Sequence, residues 1–334
     1  MQKVITFDSK GHDTFIDFIK AYAILWVLIG HTITHHNWIA YGVWGGMQVP
    51  LFILVQAFHS YKKDTTQLNW SRLMHRIILP FLVVTILTFG VIVTARLISG
   101  HPINDIIIAG IKNGGYGPGS YFPWIFVQVA FLLPIFARFF KKMSKGWSVL
   151  IIIFICEGLE ILCSLVNMPE FLYRLLAIRY LFLLYLGWQW VKEGIQINTK
   201  MIVLSILSLA TIVYFEYFSA NDEPWFFNTG FTTHRWPCYF FVANGFTALL
   251  YAFWSWLKSN NLISKWVKLL AASSYEIFLI QMAFLSLWNF IDASLPIDPH
   301  LKLMLRFVLC WTISIGLGIS LNRFLSKKRI AKTH

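Results

Sequence analysis

The sequence predicts an all-α protein, a polytopic bundle of about ten transmembrane helices with both termini in the cytoplasm. Three observations carry the prediction. Hydrophobic residues make up 57% of the 334 residues and charged residues only 13%, about half the charged share of an average soluble domain. Apolar runs close to the roughly 20 residues that a spanning helix needs recur from end to end, with short polar breaks between them. Lys and Arg also fall mostly on alternate breaks, which fixes an orientation. Length alone would allow two soluble domains. The hydropathy overrides that prior, and residues 1–334 read as a single transmembrane domain with no appended soluble module.

In chain order the predicted spans are 14–35, 44–61, 76–98, 121–140, 147–167, 172–191, 201–219, 236–257, 268–290 and 302–324. Residues 103–113 suit a short interfacial helix, and Gly114 to Gly119 reads as a plain loop without the GK[ST] of a phosphate loop. The polar residues 1–13 and the absence of a small-residue cleavage pattern argue that the first helix is retained. Cys156, Cys163, Cys238 and Cys310 all fall in apolar segments without metal spacing, so neither a disulfide nor a metal is expected. Trp38, Trp44, Trp70, Trp147, Trp225, Trp236 and Trp266 near span ends fit an interfacial belt.

With the N-terminus inside, the inner segments collect Lys62, Lys63, Arg72 and Arg76, then Arg138, Lys141, Lys142 and Lys145, and a last group from Arg323 to Lys332. The other side holds fewer: Arg96, Lys112, Arg174, Arg179, Arg235, Lys302 and Arg306. Outer loops carry Asp222, Glu223, Asp292 and Asp298. The net charge of +13 therefore belongs against anionic headgroups, and no nucleic-acid partner is implied.

Ionisable residues inside spans are costly and mark function by default. The first span has Asp17, Lys20 and His31. Eleven steps of about 100° lead from Lys20 to His31, about 20° past three full turns, so both lie on one face about 16 Å apart along the axis. Asp17, three residues before Lys20, can pair with its ammonium. A histidine at membrane depth, beside the access that Gly30 gives, is a natural general base for taking a hydroxyl proton. Glu157 and Glu160 share a face of the fifth span, where they would bind hydroxyls or pair with Arg174 or Arg179. The adjacent His35 and His36 point about 100° apart on a helix and make no ligand pair.

Lys20, ten residues, then His31 resembles the Arg/Lys-x10-His signature of acyltransferase family 3, membrane O-acyltransferases of bacterial cell-surface carbohydrates. Four further segments are similar in the same order. V-P-L-F-I-L-V-Q-A-F at 49–58 is similar to the family's V-P-L-F-F-x-x-S-G-F. R-L-M-H-R-I-I-L-P from Arg72 to Pro80 looks like its basic cluster followed by proline. Y-F-P-W-I-F-V-Q-V-A-F-L-L-P-I-F at 121–136 resembles its tryptophan-bearing span that ends in proline. S-S-Y-E-I-F-L-I-Q-M at 273–282 resembles its S-Y-x-I-Y-L-x-H. The departures are Gln56-Ala57 for Ser-Gly, Gln281 where many members have His, and Arg72 and Arg76 spaced by four where R-x-x-R is common.

The resemblance implies an enzyme that moves an acyl group, acetyl first of all, from acyl-CoA on the cytoplasmic side to a sugar hydroxyl of the cell envelope or an exopolysaccharide. It implies a multi-pass protein of the bacterial plasma membrane with no metal. His31, Lys20 and Asp17 would form the catalytic group, and Arg72, His75 and Arg76 would hold the CoA phosphates. Trp124, Glu157, Glu160, Tyr275 and Gln281 would contact the acceptor, Gln281 only by positioning a group. Two alternatives stay open: a flippase of a lipid-linked sugar, which would need paired broken helices in two related halves, and a non-catalytic partner of a polysaccharide synthesis complex. Oligomeric state is open.

Overall fold

A computed structural model describes residues 3–7, 13–33, 47–63, 68–217, 235–294 and 296–330. Trp38, Trp44, Trp225, His35, His36, Asp222, Glu223 and the first residues of the expected second span lie outside them. The fold is a helical membrane bundle. Its helices are α1 (Thr14–Thr32), α2 (Gln48–Lys62), α3 (Trp70–Ile98), α4 (Asn104–Asn113), α5 (Phe122–Lys142), α6 (Lys145–Leu165) and α7 (Glu170–Arg174). After these come α8 (Leu181–Glu193), α9 (Thr199–Tyr217), α10 (Trp236–Leu257), α11 (Asn261–Ala272), α12 (Ser274–Ser294) and α13 (Pro299–Ile330).

Six described helices are long and apolar enough to cross a membrane, and seven if the bent pair α11–α12 counts as one span. Two expected spans are interrupted, and two more, 44–61 and 201–219, fall short of a full span among the described residues. The segment 172–191 breaks into α7, a 3-10 turn at Ala177–Tyr180 and α8. One buried-side amide holds that break: Gln128 donates through Nε2 to the Leu175 carbonyl and accepts from the Ala177 N–H at 3.0 Å. It thus meets a carbonyl and an N–H on either side of the interruption. The segment 268–290 is bent by 67° at Ser273, whose hydroxyl accepts from Asn322 Nδ2 at 3.1 Å. The described part of 44–61 is the 15-residue α2, shorter than a full span.

Two π turns interrupt otherwise regular helices, at Met74–Ile78 in α3 and Val242–Phe246 in α10. A π turn displaces backbone carbonyls from their usual donors. In each case an aromatic side chain supplies a donor: Tyr275 Oη bonds the Ile77 carbonyl at 2.8 Å, and Trp190 Nε1 the Ala243 carbonyl at 2.9 Å. A two-stranded antiparallel ribbon, β1 (Lys3–Ile5) with β2 (Ile195–Ile197), ties the start of the chain to the end of α8.

At the centre is α1. Asp13 caps its N-terminus, accepting from the Phe15 N–H at 2.9 Å. It packs on α2, α10, α11, α12 and α13, and 61% of its spanning window is buried. For α3 the figure is 17%: Leu79, Leu82, Val83, Ile86 and Leu87 form an exposed stripe at helical spacing, suited to lipid. Where α2 crosses α8, a Cβ on Gly187 would sit inside the Ala57 methyl, so the two helices meet by a small-residue contact.

Candidate active site

The stripe on α1 opens onto three cavities in series. The first, about 850 Å³, is a basic vestibule at the N-terminal end of α1. Lys20, His59, Lys62, Lys63, Arg72 and Arg76 line it, together with Asp13 and Asp17. Asp17 pairs with Lys20 at 3.6 Å and is buried. The expected pairing of Arg72 with Arg76 survives the extra residue between them. Residues four apart share a face of a helix, and both arginines line the same vestibule. The Arg72 charge beside it, with partial burial and Arg76, holds the Lys63 ammonium below its ordinary range. Crowded cations of this kind favour a bound polyanion. His75 stands apart: it is exposed, its Nδ1 lies 2.8 Å from the Ser71 carbonyl, and it does not line the vestibule.

The second cavity, about 280 Å³, shares Lys20, Gln56, His59 and Arg76 with the vestibule and reaches His31. Its wall includes Val27, Gln48, Phe52, Phe122, Tyr275 and Phe278. Lys20, Val27 and His31 thus face one space, as the helical spacing predicts. Among the described residues the buried side-chain oxygens of Gln48 and Gln56 have no hydrogen-bond partner, while Gln56 Nε2 is held by the Phe126 carbonyl at 3.0 Å.

The third cavity, about 700 Å³, opens at the other end of α1. His31, Gly119 and Tyr121 line both this cavity and the second, and so form the neck between them. The glycine loop is more than a connection. Gly114, Gly115, Gly117 and Gly119 all have positive φ, and a Cβ on Gly117 would collide with the Met282 carbonyl. A Cβ on Gly119 would press on Phe278 and come 3.4 Å from His31 Cε1, so glycine brings bare backbone up to the imidazole. Arg179 backs the other side of the neck, its guanidinium 5.1 Å from the Tyr121 ring centre.

Gln281 and His31 meet directly, Gln281 Nε2 to His31 Nδ1 at 2.6 Å. Gln281 is fully buried. Its contact occupies one ring nitrogen and leaves Nε2 for chemistry; with the amide oxygen turned to an Nδ1–H, the Nε2 lone pair is the basic one. Arg306 donates to the His31 carbonyl at 2.9 Å, a cation at the C-terminal end of α1.

The other sequence candidates lie elsewhere. Trp124 donates to the Gly114 carbonyl at 2.6 Å and clamps the glycine loop without lining the cavities. Glu160 is buried and accepts from the Tyr173 hydroxyl, and Arg174 pairs with Glu170; neither Glu157 nor Glu160 lines the three cavities. Sequence reasoning missed His59, Gln48 and Gln56, Gly119, Tyr121 and Arg306. His59 lies three residues after Gln56 on α2, a helical spacing that was legible; the rest come together only through the fold. Among the described residues no group of three or more His, Cys, Asp or Glu is placed to hold a metal ion.

With this geometry in view, the acyltransferase domain model matches residues 13–323, nearly the whole chain. The chain belongs to that acyltransferase family. It is a membrane acyltransferase, and the apolar helices described above agree. Neither the curated proteins nor the solved structures contain a match.

Proposed function

We propose that this acyltransferase moves an acyl group, acetyl first of all, from acyl-CoA to a hydroxyl of a cell-envelope or exopolysaccharide sugar. The observation that carries the reading is His31 at the neck between two cavities, one of which leads to a basic vestibule. The donor chemistry fits. Lys62, Lys63, Arg72 and Arg76 suit the phosphates and the nucleotide end of CoA, and the narrow second cavity between the vestibule and His31 suits a pantetheine arm. Lys20, paired with Asp17, stands where the two cavities join.

In the proposed reaction His31 takes the acceptor's hydroxyl proton as that oxygen bonds to the thioester carbon. The carbon–sulfur bond then breaks, and the CoA thiolate leaves with the proton that His31 has held. Gln281, with its amide oxygen turned to His31 Nδ1–H, holds the neutral imidazole in the tautomer whose Nε2 is basic. Topologically we read ten spans in one domain, with the short or broken segments α2, α7–α8 and α9 completing the count, both termini in the cytoplasm and a bacterial plasma membrane as host. The Lys and Arg distribution supports that orientation. Purified protein given acetyl-CoA and a saccharide acceptor should release CoA and yield an acetyl ester, and His31→Ala should abolish both. Full retained transfer in a folded His31→Ala protein would overturn the assignment.

A further inference from the structure

The cavity on the far side of the neck is basic like the vestibule, but its charges are of one sign. Its described lining holds three cations, Lys112, Arg174 and Arg306, and no carboxylate, whereas the vestibule mixes its cations with Asp13 and Asp17. Arg174 pairs with Glu170, which lies outside the lining, and Lys112 sits over the Phe171 ring at 5.9 Å. Arg306 is the informative one. It spends Nη2 on the His31 carbonyl, while its Nε is buried with no hydrogen-bond partner among the described residues. Buried in this way, Nε cannot meet a guest, but the guanidinium lines the cavity beside the imidazole and offers its remaining N–H donors and its charge to an oxyanion. The same wall carries Asn113 and Asn289, side-chain amides of the kind that meet sugar hydroxyls.

We propose that this cavity is an acceptor site for an acidic saccharide, whose carboxylate or phosphate is held by Arg306 while a neighbouring hydroxyl faces His31. The proposal rests on the acyltransferase reading above and names the acceptor's charge class. Lys112 and Arg174 at the cavity rim draw in the same anion.

The test measures binding by calorimetry to the full-length protein in detergent, with three probes: methyl glucoside, its uronic acid and its 6-phosphate. Both or one of the charged probes should bind about tenfold or more tightly than the neutral one, weakening with salt. The preferred charged probe separates a uronate source from a phosphate source. Arg306→Gln should remove most of the preference. Because Arg306 also supports the end of α1, Lys112→Gln at the exposed rim serves as a second variant and should lower it by a smaller factor. Equal binding of all three probes, no saturable binding of either charged probe, or a preference that survives both substitutions would overturn the proposal. Transfer from acetyl-CoA to the same probes is scored separately. Charge-selective binding through Arg306 without any transfer leaves the anion site standing and counts against the O-acyltransferase reading alone.

Discussion

Two long helices of this bundle, α1 and α3, do opposite jobs with similar residues. The more apolar of the two is the less buried: α3 turns Leu79, Leu82, Val83, Ile86 and Leu87 outward. By contrast α1 is enclosed by five other helices and carries Asp17, Lys20 and His31. In water the buried helix would be the greasier one. In a bilayer the solvent is itself hydrocarbon, so the most apolar surface goes outside and the polar groups gather where protein surrounds them. Of the arginines on α3, Arg72 and Arg76 sit at its foot beside the vestibule, and Arg96 at its far end pairs with Asp105.

Substitutions on these two helices should therefore differ in kind. The largest effect is expected from His31→Ala on α1: a loss of about 100- to 10,000-fold in turnover with the protein still folded, measured as CoA release. Lys20→Met strips Asp17 of its ammonium and should cost roughly 1–3 kcal/mol of stability, between exposed and buried ion pairs, along with most activity. Adding Asp17→Asn should recover the stability without recovering activity; recovery of both would reduce the pair to a structural one. Next come Arg72→Gln and Arg76→Gln on α3. Each should raise KM for acetyl-CoA about tenfold and leave acetyl-pantetheine, which lacks the nucleotide, unaffected. Gln281→Leu should lower turnover about 5- to 30-fold at unchanged KM, the worth of one orienting hydrogen bond. The smallest effect belongs to Leu87→Ala, 65% exposed on the lipid stripe. Its thermal stability should shift by less than about 0.5 kcal/mol and its activity not at all.

The helices and the Lys20–His31 stripe were legible in the sequence because both depend on period alone. The interruptions were not. Leu175, Leu176 and Ala177 sit in an apolar run with no Gly or Pro at the break, and the break is held from a distance by Gln128. Ser273 reads as an ordinary polar residue until Asn322 reaches it from α13. The π turn in α3 leaves no mark on composition either, and the donor that meets its Ile77 carbonyl, Tyr275, comes from α12. The glycine loop was correctly read as a loop, but its placement against His31 comes from positive φ values and from α12 lying behind it. Gln281 was expected to do no more than position a group, and the group it meets is His31 Nδ1.

The neck has one further consequence. Among the described residues, the second and third cavities are parted by His31, Tyr121 and Gly119 alone, the residues that line both. In a chain that spans the bilayer as proposed, side chains at this point would have to keep the two cavities from joining into one passage. The close fit of Gly119 against His31 and Phe278 would then serve as a seal as well as a wall of the proposed site.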